Sequence, residues 1–145
     1  MLSFPVPIGP GAGYPALNGW PITQDYGHNG HPGIDVGTPT GTPLLAVLAG
    51  TIEQFRDGSA SSAGGGNWTN LHADDGWIYG YGHAVRFTVA NGSRIELGQE
   101  LARSGSTGYS TGPHLHFCRR RPGQPWTDPR PFLATCTNPP PPPPP

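Results

Sequence analysis

The sequence contains no lysine; all eight of its basic residues are arginine, against nine acidic ones. The formal net charge of −1 leaves no electrostatic footprint for nucleic acid or for an anionic membrane surface. Only Arg119, Arg120 and Arg121 form a basic run, and such runs read as a solvated face. With the bias towards Ala, Gly and Pro, the exclusive use of arginine points to a GC-rich genome. Long apolar runs are also missing. Nothing approaches the length of a membrane span, and the opening MLSFPVPIGPGAGYP has neither a basic segment nor an apolar stretch of signal-peptide length. With Met1 as the start, the expectation is a chain that does not export itself by the usual secretory route. Cysteine is scarce: Cys118 and Cys136 admit either one disulfide or two free thiols, depending on the redox compartment. No stretch free of Gly and Pro exceeds nine residues, the longest being 67–75 and 83–91. A globular helix wants roughly 10 to 12 residues, so helices should be few or absent.

What is present fits a compact β protein. At 145 residues the chain is long enough to bury a core without disulfide or metal staples, and its 23 glycines suit a fold rich in tight turns. Short apolar or alternating runs bounded by turn residues recur at 44–49, 51–55, 68–72, 77–81, 85–89 and 114–118. This pattern predicts an all-β fold built on an antiparallel sheet of short strands. The expected domain is 1–136, with its core at about 20–133. Residues 137–145, ending in seven consecutive prolines, read as a stiff linker or tail. The segment 57–66 (DGSASSAGGG) has few side chains to pack and reads as a flexible surface loop.

Three pieces carry chemistry. In GPHLHF (112–117) an extended strand puts His114 and His116 on one face, roughly 6.5 to 7 Å apart, with Leu115 and Phe117 towards the core. One metal ion does not comfortably take both, so one histidine would bind while the other stands beside it. In HPGID (31–35) Pro32 keeps His31 out of the helical region, and the segment reads as loop into strand. His31, Asp35 and His116 could then supply three ligands and water a fourth, the open set of a catalytic rather than a structural zinc site. In WIYGYGH (77–83) alternation places Tyr79, Tyr81 and His83 on one face, an aromatic groove wall ending in a histidine.

Taken in order, these motifs resemble the lysostaphin/LytM-type zinc metallopeptidases, from ITQDYG (22–27) to DPRPFL (128–133). The likeness takes in HPGID (31–35), GTPLLAVLAGTI (41–52), GNWTNLHADDGWIYGYGH (66–83), NGSRIELGQELARSGSTG (91–108) and YSTGPHLHF (109–117). It implies the LytM/lysostaphin-type fold, zinc ligands His31, Asp35 and His116, and a catalytic pair His83 and His114. The same ligands could hold cobalt or manganese. His28 lacks the following Gly-x-Asp and reads as a loop residue, and His72 takes a structural reading. Cys118 stands where such peptidases commonly have a carboxylate, on the histidine face of its strand; a disulfide to Cys136 or a buried thiol is expected there rather than a thiolate ligand.

The implied reaction is metal-assisted hydrolysis without a covalent intermediate, on the peptides of bacterial peptidoglycan. Zinc lowers the pKa of a bound water to about 7 and polarises the scissile carbonyl. His114 is expected to act as general base and then acid, and His83 to steady the oxyanion, although the two roles could be exchanged. A catalytically inactive LytM-like wall-binding or regulatory module is the alternative, but such modules lose ligands and all five positions are intact here. A structural zinc domain would need four closed protein ligands and leaves His83 unexplained. The expected setting is a phage endolysin made in the host cytoplasm and acting on the wall after release, or else a secreted autolysin. It should be a monomer, tethered through the proline run to a wall-binding domain, with neither nucleic acid nor membrane as partner. Relatives of this type cut either glycine bridges or bonds involving D-alanine and diaminopimelate, and the motifs do not choose between them.

Overall fold

A computed structural model describes residues 2–3, 21–27, 30–59 and 64–136. The proline run, His28 and part of the glycine-rich loop (60–63) lie outside these residues. As the turn-rich sequence predicts, the fold is antiparallel β throughout: β1 (Leu2–Ser3), β2 (Pro21–Gln24), β3 (Ile34–Val36), β4 (Pro43–Leu45), β5 (Gly50–Phe55), β6 (Asn67–Ala73), β7 (Ile78–Phe87), β8 (Arg94–Ile95), β9 (Glu100–Ser104) and β10 (Leu115–Arg120). A single described helix, α1 (Arg130–Leu133), has four residues, and no described helix could cross a membrane. The sheet runs β1-β2-β3-β10-β7-β6-β5-β8, with β9 pairing both β4 and the far end of β7. The last strand in sequence thus lies between β3 and β7 at the centre.

The central strands alternate cleanly. Ile34 and Val36 from β3, Leu71 from β6, and Leu115 and Phe117 from β10 are fully buried on the core face. Each such side chain contributes roughly 1.5–3 kcal/mol through the area it removes from water. Asp35, Asn70, His116 and Cys118 occupy the alternate positions. Tyr79 and Tyr81 are fully buried in the core cluster, not on a groove wall. The Tyr81 hydroxyl accepts from the Val47 N–H at 3.1 Å and donates to the Leu45 carbonyl at 2.9 Å, so its polar tip is satisfied indoors. The aromatic-wall expectation therefore fails for both tyrosines: on β7 it is Gly80 and Gly82 that face outward.

His83 still reaches the outer face because the register slips there. Thr69 of β6 opposes Tyr81, but Asn67 opposes Ala84, so β7 spends one extra residue across from Trp68. This bulge puts Gly82 and His83 on the same side and returns Ala84 to the core. His83 adopts φ +65°, and it is the only non-glycine residue with positive φ among those described. Backbone strain of order 1–3 kcal/mol is thus stored where a histidine has been turned around.

Of the two states the cysteines admitted, the structure has the free thiols, and one further expectation changes. Cys118 and Cys136 are separate buried thiols, not a disulfide. Cys118 lies beneath the groove beside Gly80, whereas Cys136 belongs to the core with Leu133. The described end of the glycine-rich segment is also no free loop: the Gly64 carbonyl accepts from the Tyr109 N–H at 2.8 Å, and the Gly65 carbonyl from the His83 N–H at 2.6 Å.

Candidate metal centre

Asp35 and His116 are directly opposed in the β3–β10 register, so one rung of the sheet presents both to the outer face. His31 arrives from the loop before β3. Gly33 lets that loop lie against β10, since a Cβ there would press on Cys118 Cβ at 2.9 Å and His116 Cε1 at 3.2 Å. The three donor atoms make a near-equilateral triangle: His116 Nδ1 lies 3.1 Å from His31 Nε2 and 3.1 Å from Asp35 Oδ1, and His31 Nε2 lies 3.2 Å from Asp35 Oδ1. Bonds of about 2.0–2.1 Å to a tetrahedral zinc require donors roughly 3.3 Å apart, close to what is found. The donor set also demands a cation or a proton, because a carboxylate oxygen and two imidazole nitrogens converge on one point. Burial alone would raise the Asp35 carboxyl, yet hydrogen bonds from His116 and His31 hold it well below the carboxylate range. Burial lowers the His116 imidazole, whereas at His31 the pull of Asp35 overcomes burial and the net shift is upward. A metal would displace the shared proton. The residues present therefore fit a zinc ion.

His114 stands beside this triangle rather than in it. It sits just before β10, its N–H donating to the Gly105 carbonyl at 3.1 Å, and its Nε2 lies 3.6 Å from Asp35 Oδ2. Its Nδ1 is 2.8 Å from the Gly112 carbonyl, and Nδ1 of His83 is 2.7 Å from the Thr107 carbonyl. Carbonyls only accept, so each Nδ1 carries the hydrogen and each neutral ring keeps its Nε2 lone pair for the groove. The two rings lie 4.4 Å apart. Burial pushes the His83 imidazole down, with the neighbouring His114 and His116 adding to the effect, which favours its neutral form. The five residues singled out in the sequence thus converge on one site. His72 does not join them; it lies in the open, with its Nε2 2.9 Å from Glu53 Oε1.

The groove beyond the triangle is also lined by Trp68, Trp126, Arg120, Gln124, Tyr109 and Ser110, to which the motifs assign no role. Trp68 lies flat over Gly80 and Gly82, and its Nε1–H donates to Asn70 Oδ1 at 2.8 Å. A signal was available. Alternate glycines in a strand mark the face where another group approaches closely.

Comparisons with known proteins agree with this geometry. The model of peptidase family M23 matches residues 29–129. The glycyl-glycine endopeptidase ALE-1 of Staphylococcus capitis is 40% identical over 112 residues, 72% of this chain. The chain spans only 29% of that relative's length. The structure of lysostaphin from Staphylococcus simulans superposes with a TM-score of 0.72 at 36% identity, covering 79% of this chain and 49% of that one. The catalytic domain of EnpA, a prophage-encoded M23 protein of Enterococcus faecalis, gives a TM-score of 0.67 at 30% identity, covering 86% and 94%. M23 metallopeptidases are zinc-dependent, and the His31, Asp35 and His116 group is positioned to bind a metal. On the family match, the shared fold and this donor set, the chain belongs to peptidase family M23.

Proposed function

We propose that the protein is a zinc endopeptidase that hydrolyses peptide cross-links or stem peptides of bacterial peptidoglycan. His31, Asp35 and His116 hold the metal, and His83 and His114 are the catalytic pair. The observation that carries this is the donor triangle, with two further imidazoles presenting Nε2 to the same groove. When bound, zinc supplies a water activated at neutral pH and polarises the scissile carbonyl.

The chain's own groups do the rest. His114, fixed by the Gly112 carbonyl, accepts the attacking water's proton at Nε2 and returns it to the leaving amine. His83, fixed by the Thr107 carbonyl and neutral at rest, faces the same space; it donates to the oxyanion from Nε2 as the imidazolium, the form that the negative charge developing beside it favours. Because both Nδ1 atoms are spoken for, each ring works through one nitrogen only. Trp68 and Trp126 supply an apolar wall that limits water beside the reacting bond.

The reading includes a role in phage-driven host lysis, in keeping with a relative that is prophage-encoded; on that reading the protein is made in the host cytoplasm and acts on the wall after release. The reading extends to a monomer whose proline run at 139–145 spaces it from a wall-binding module, since polyproline is stiff and cannot join a sheet.

The test measures zinc content and release of amino groups from purified walls for wild type, His116→Ala and His114→Ala. The proposal requires near-stoichiometric zinc that is lost in His116→Ala. His114→Ala should keep its zinc and lose about 10²-fold or more in rate. A folded, zinc-loaded wild type that binds walls without cutting them would sink the proposal and leave an inactive binding module.

A further inference from the structure

The arginine run separates in space in a way that makes one member stand out. Alternation along β10 sends Arg119 to one face of the sheet and Arg120 to the other. Arg119 is fully engaged: its Nε–H donates to the Tyr79 hydroxyl at 3.0 Å, its Nη2 lies 3.9 Å from Asp75 Oδ2, and its guanidinium stacks 3.6 Å from the Trp77 ring centre. Arg121 lies over the same indole at 4.5 Å. Arg120 instead faces the substrate groove, with its guanidinium 4.9 Å from the centre of the Trp126 ring. Among the described residues it makes no ion pair and no side-chain hydrogen bond.

We infer that Arg120 is an anion subsite that binds a carboxylate of the substrate peptide at the end of the groove remote from the metal centre. This deepens the endopeptidase reading and rests on it. Stacking on an indole satisfies the face of a guanidinium but leaves its in-plane N–H donors free, in the fork that matches a carboxylate. Among the described residues Arg120 is the only fixed positive charge lining the groove, and the only lining carboxylate, Asp35, is committed to the donor triangle. Arg120 lies four positions beyond His116 on the same face, which at about 3.3 Å per residue places it roughly 13 Å along the strand. An extended peptide in the groove would bring a side chain or a free carboxyl three or four residues from the scissile bond to that point. A bridge of glycines offers no carboxylate there. A peptide stem carrying free carboxyl groups does, so the groove selects the acidic class of wall peptide.

The experiment uses purified walls rich in free peptide carboxylates, and the same walls after carbodiimide coupling with ammonia has converted those carboxylates to amides. Wild type, Arg120→Met and Arg120→Lys are compared by initial release of amino groups over a range of wall concentrations. Co-sedimentation of the chelator-treated, metal-free proteins with both walls gives a binding readout independent of turnover. Amidation should raise the half-saturating wall concentration of wild type roughly five- to twenty-fold, as expected for one partly exposed charge-assisted contact, with maximal rate within about twofold. Arg120→Met should show that weaker value on untreated walls and respond little to amidation, while Arg120→Lys keeps part of the difference. Equal sensitivity to amidation in wild type and Arg120→Met, or a loss in Arg120→Met that is the same on both walls, overturns the assignment. If zinc-loaded wild type releases no amino groups at all, the endopeptidase reading fails. Sedimentation then decides Arg120 separately by the same comparison.

Discussion

Substituting Gly82 tests how the groove is seated on its sheet. An alanine Cβ at this position would lie 2.8 Å and 3.0 Å from two carbons of the Trp68 ring and 3.3 Å from His116 Cβ. Carbon atoms prefer about 3.5–4.0 Å, so the indole must lift by more than half an ångström. Lifting strains the 2.8 Å bond from Trp68 Nε1 to Asn70, worth about 1 kcal/mol, and overpacking of this kind costs typically 1–3 kcal/mol. Alanine gains back about 0.5–1 kcal/mol over glycine within a strand. Gly82→Ala should therefore destabilise by about 1–2 kcal/mol, lowering the melting temperature by roughly 3–10 °C. Because His116 is in the contact, zinc affinity should fall as well, by about tenfold or more. The assay is a double-mutant cycle with Trp68→Ala, using urea unfolding and competitive zinc titration. Once the indole is gone the methyl has room, and the cost of Gly82→Ala should vanish, giving a coupling of about 1 kcal/mol or more. A Gly82→Ala protein as stable as wild type, with unchanged zinc affinity, would refute the packing argument.

Tyr81→Phe should cost about 2–4 kcal/mol in urea unfolding, because it orphans the buried Val47 N–H and the Leu45 carbonyl while leaving the ring in place. His72→Ala should change stability by less than about 0.5 kcal/mol and leave wall cleavage intact, since it removes only an exposed pairing with Glu53. Burial pushes the Cys136 thiol up to about 12, whereas an unfolded thiol titrates near 8.5. Above about pH 8.5 the unfolded chain therefore loses a proton that the folded chain keeps. Stability is fully present below that pH and declines above it by up to about 1.4 kcal/mol per unit for each such thiol. Cys136→Ala should flatten the slope measured by urea unfolding between pH 8 and pH 10, and an unchanged slope would mean that the thiol is not held neutral by the fold.

Much of the site could be read from local pattern. HLH on an extended strand fixes two histidines on one face, and HPGID cannot be helical, so both segments land where strand geometry requires. The structure adds what pairing alone decides, namely that Asp35 and His116 share one rung. Strict alternation misleads in WIYGYGH. It assigns Tyr79, Tyr81 and His83 to one face, and a bulge, which is a property of two strands together, moves His83 to the other. The glycine-rich segment reads as loose because glycine lacks side-chain contacts. Its described end is instead held through backbone hydrogen bonds, which composition does not record. The motifs assign no role to Trp68 and Trp126, and Arg120 reads as part of a solvated basic run, because a groove wall is assembled from distant strands and has no short motif of its own.

The alternation of β7 and β10 makes the sheet a partition one residue thick. Tyr79, Tyr81, Leu115 and Phe117 hold the molecule together on one side, while Gly80, Gly82, His116, Cys118 and Arg120 belong to the groove on the other. The two sets share a backbone but few side-chain contacts, so the requirements of folding and of recognition fall on different letters of the same few words. Arg120 and Trp126 can therefore change with the chemistry of the peptide in the groove while the tyrosines and phenylalanine beneath them stay fixed. A laboratory library restricted to the outward positions away from the donor triangle would explore specificity without spending most of its members on unfolded chains.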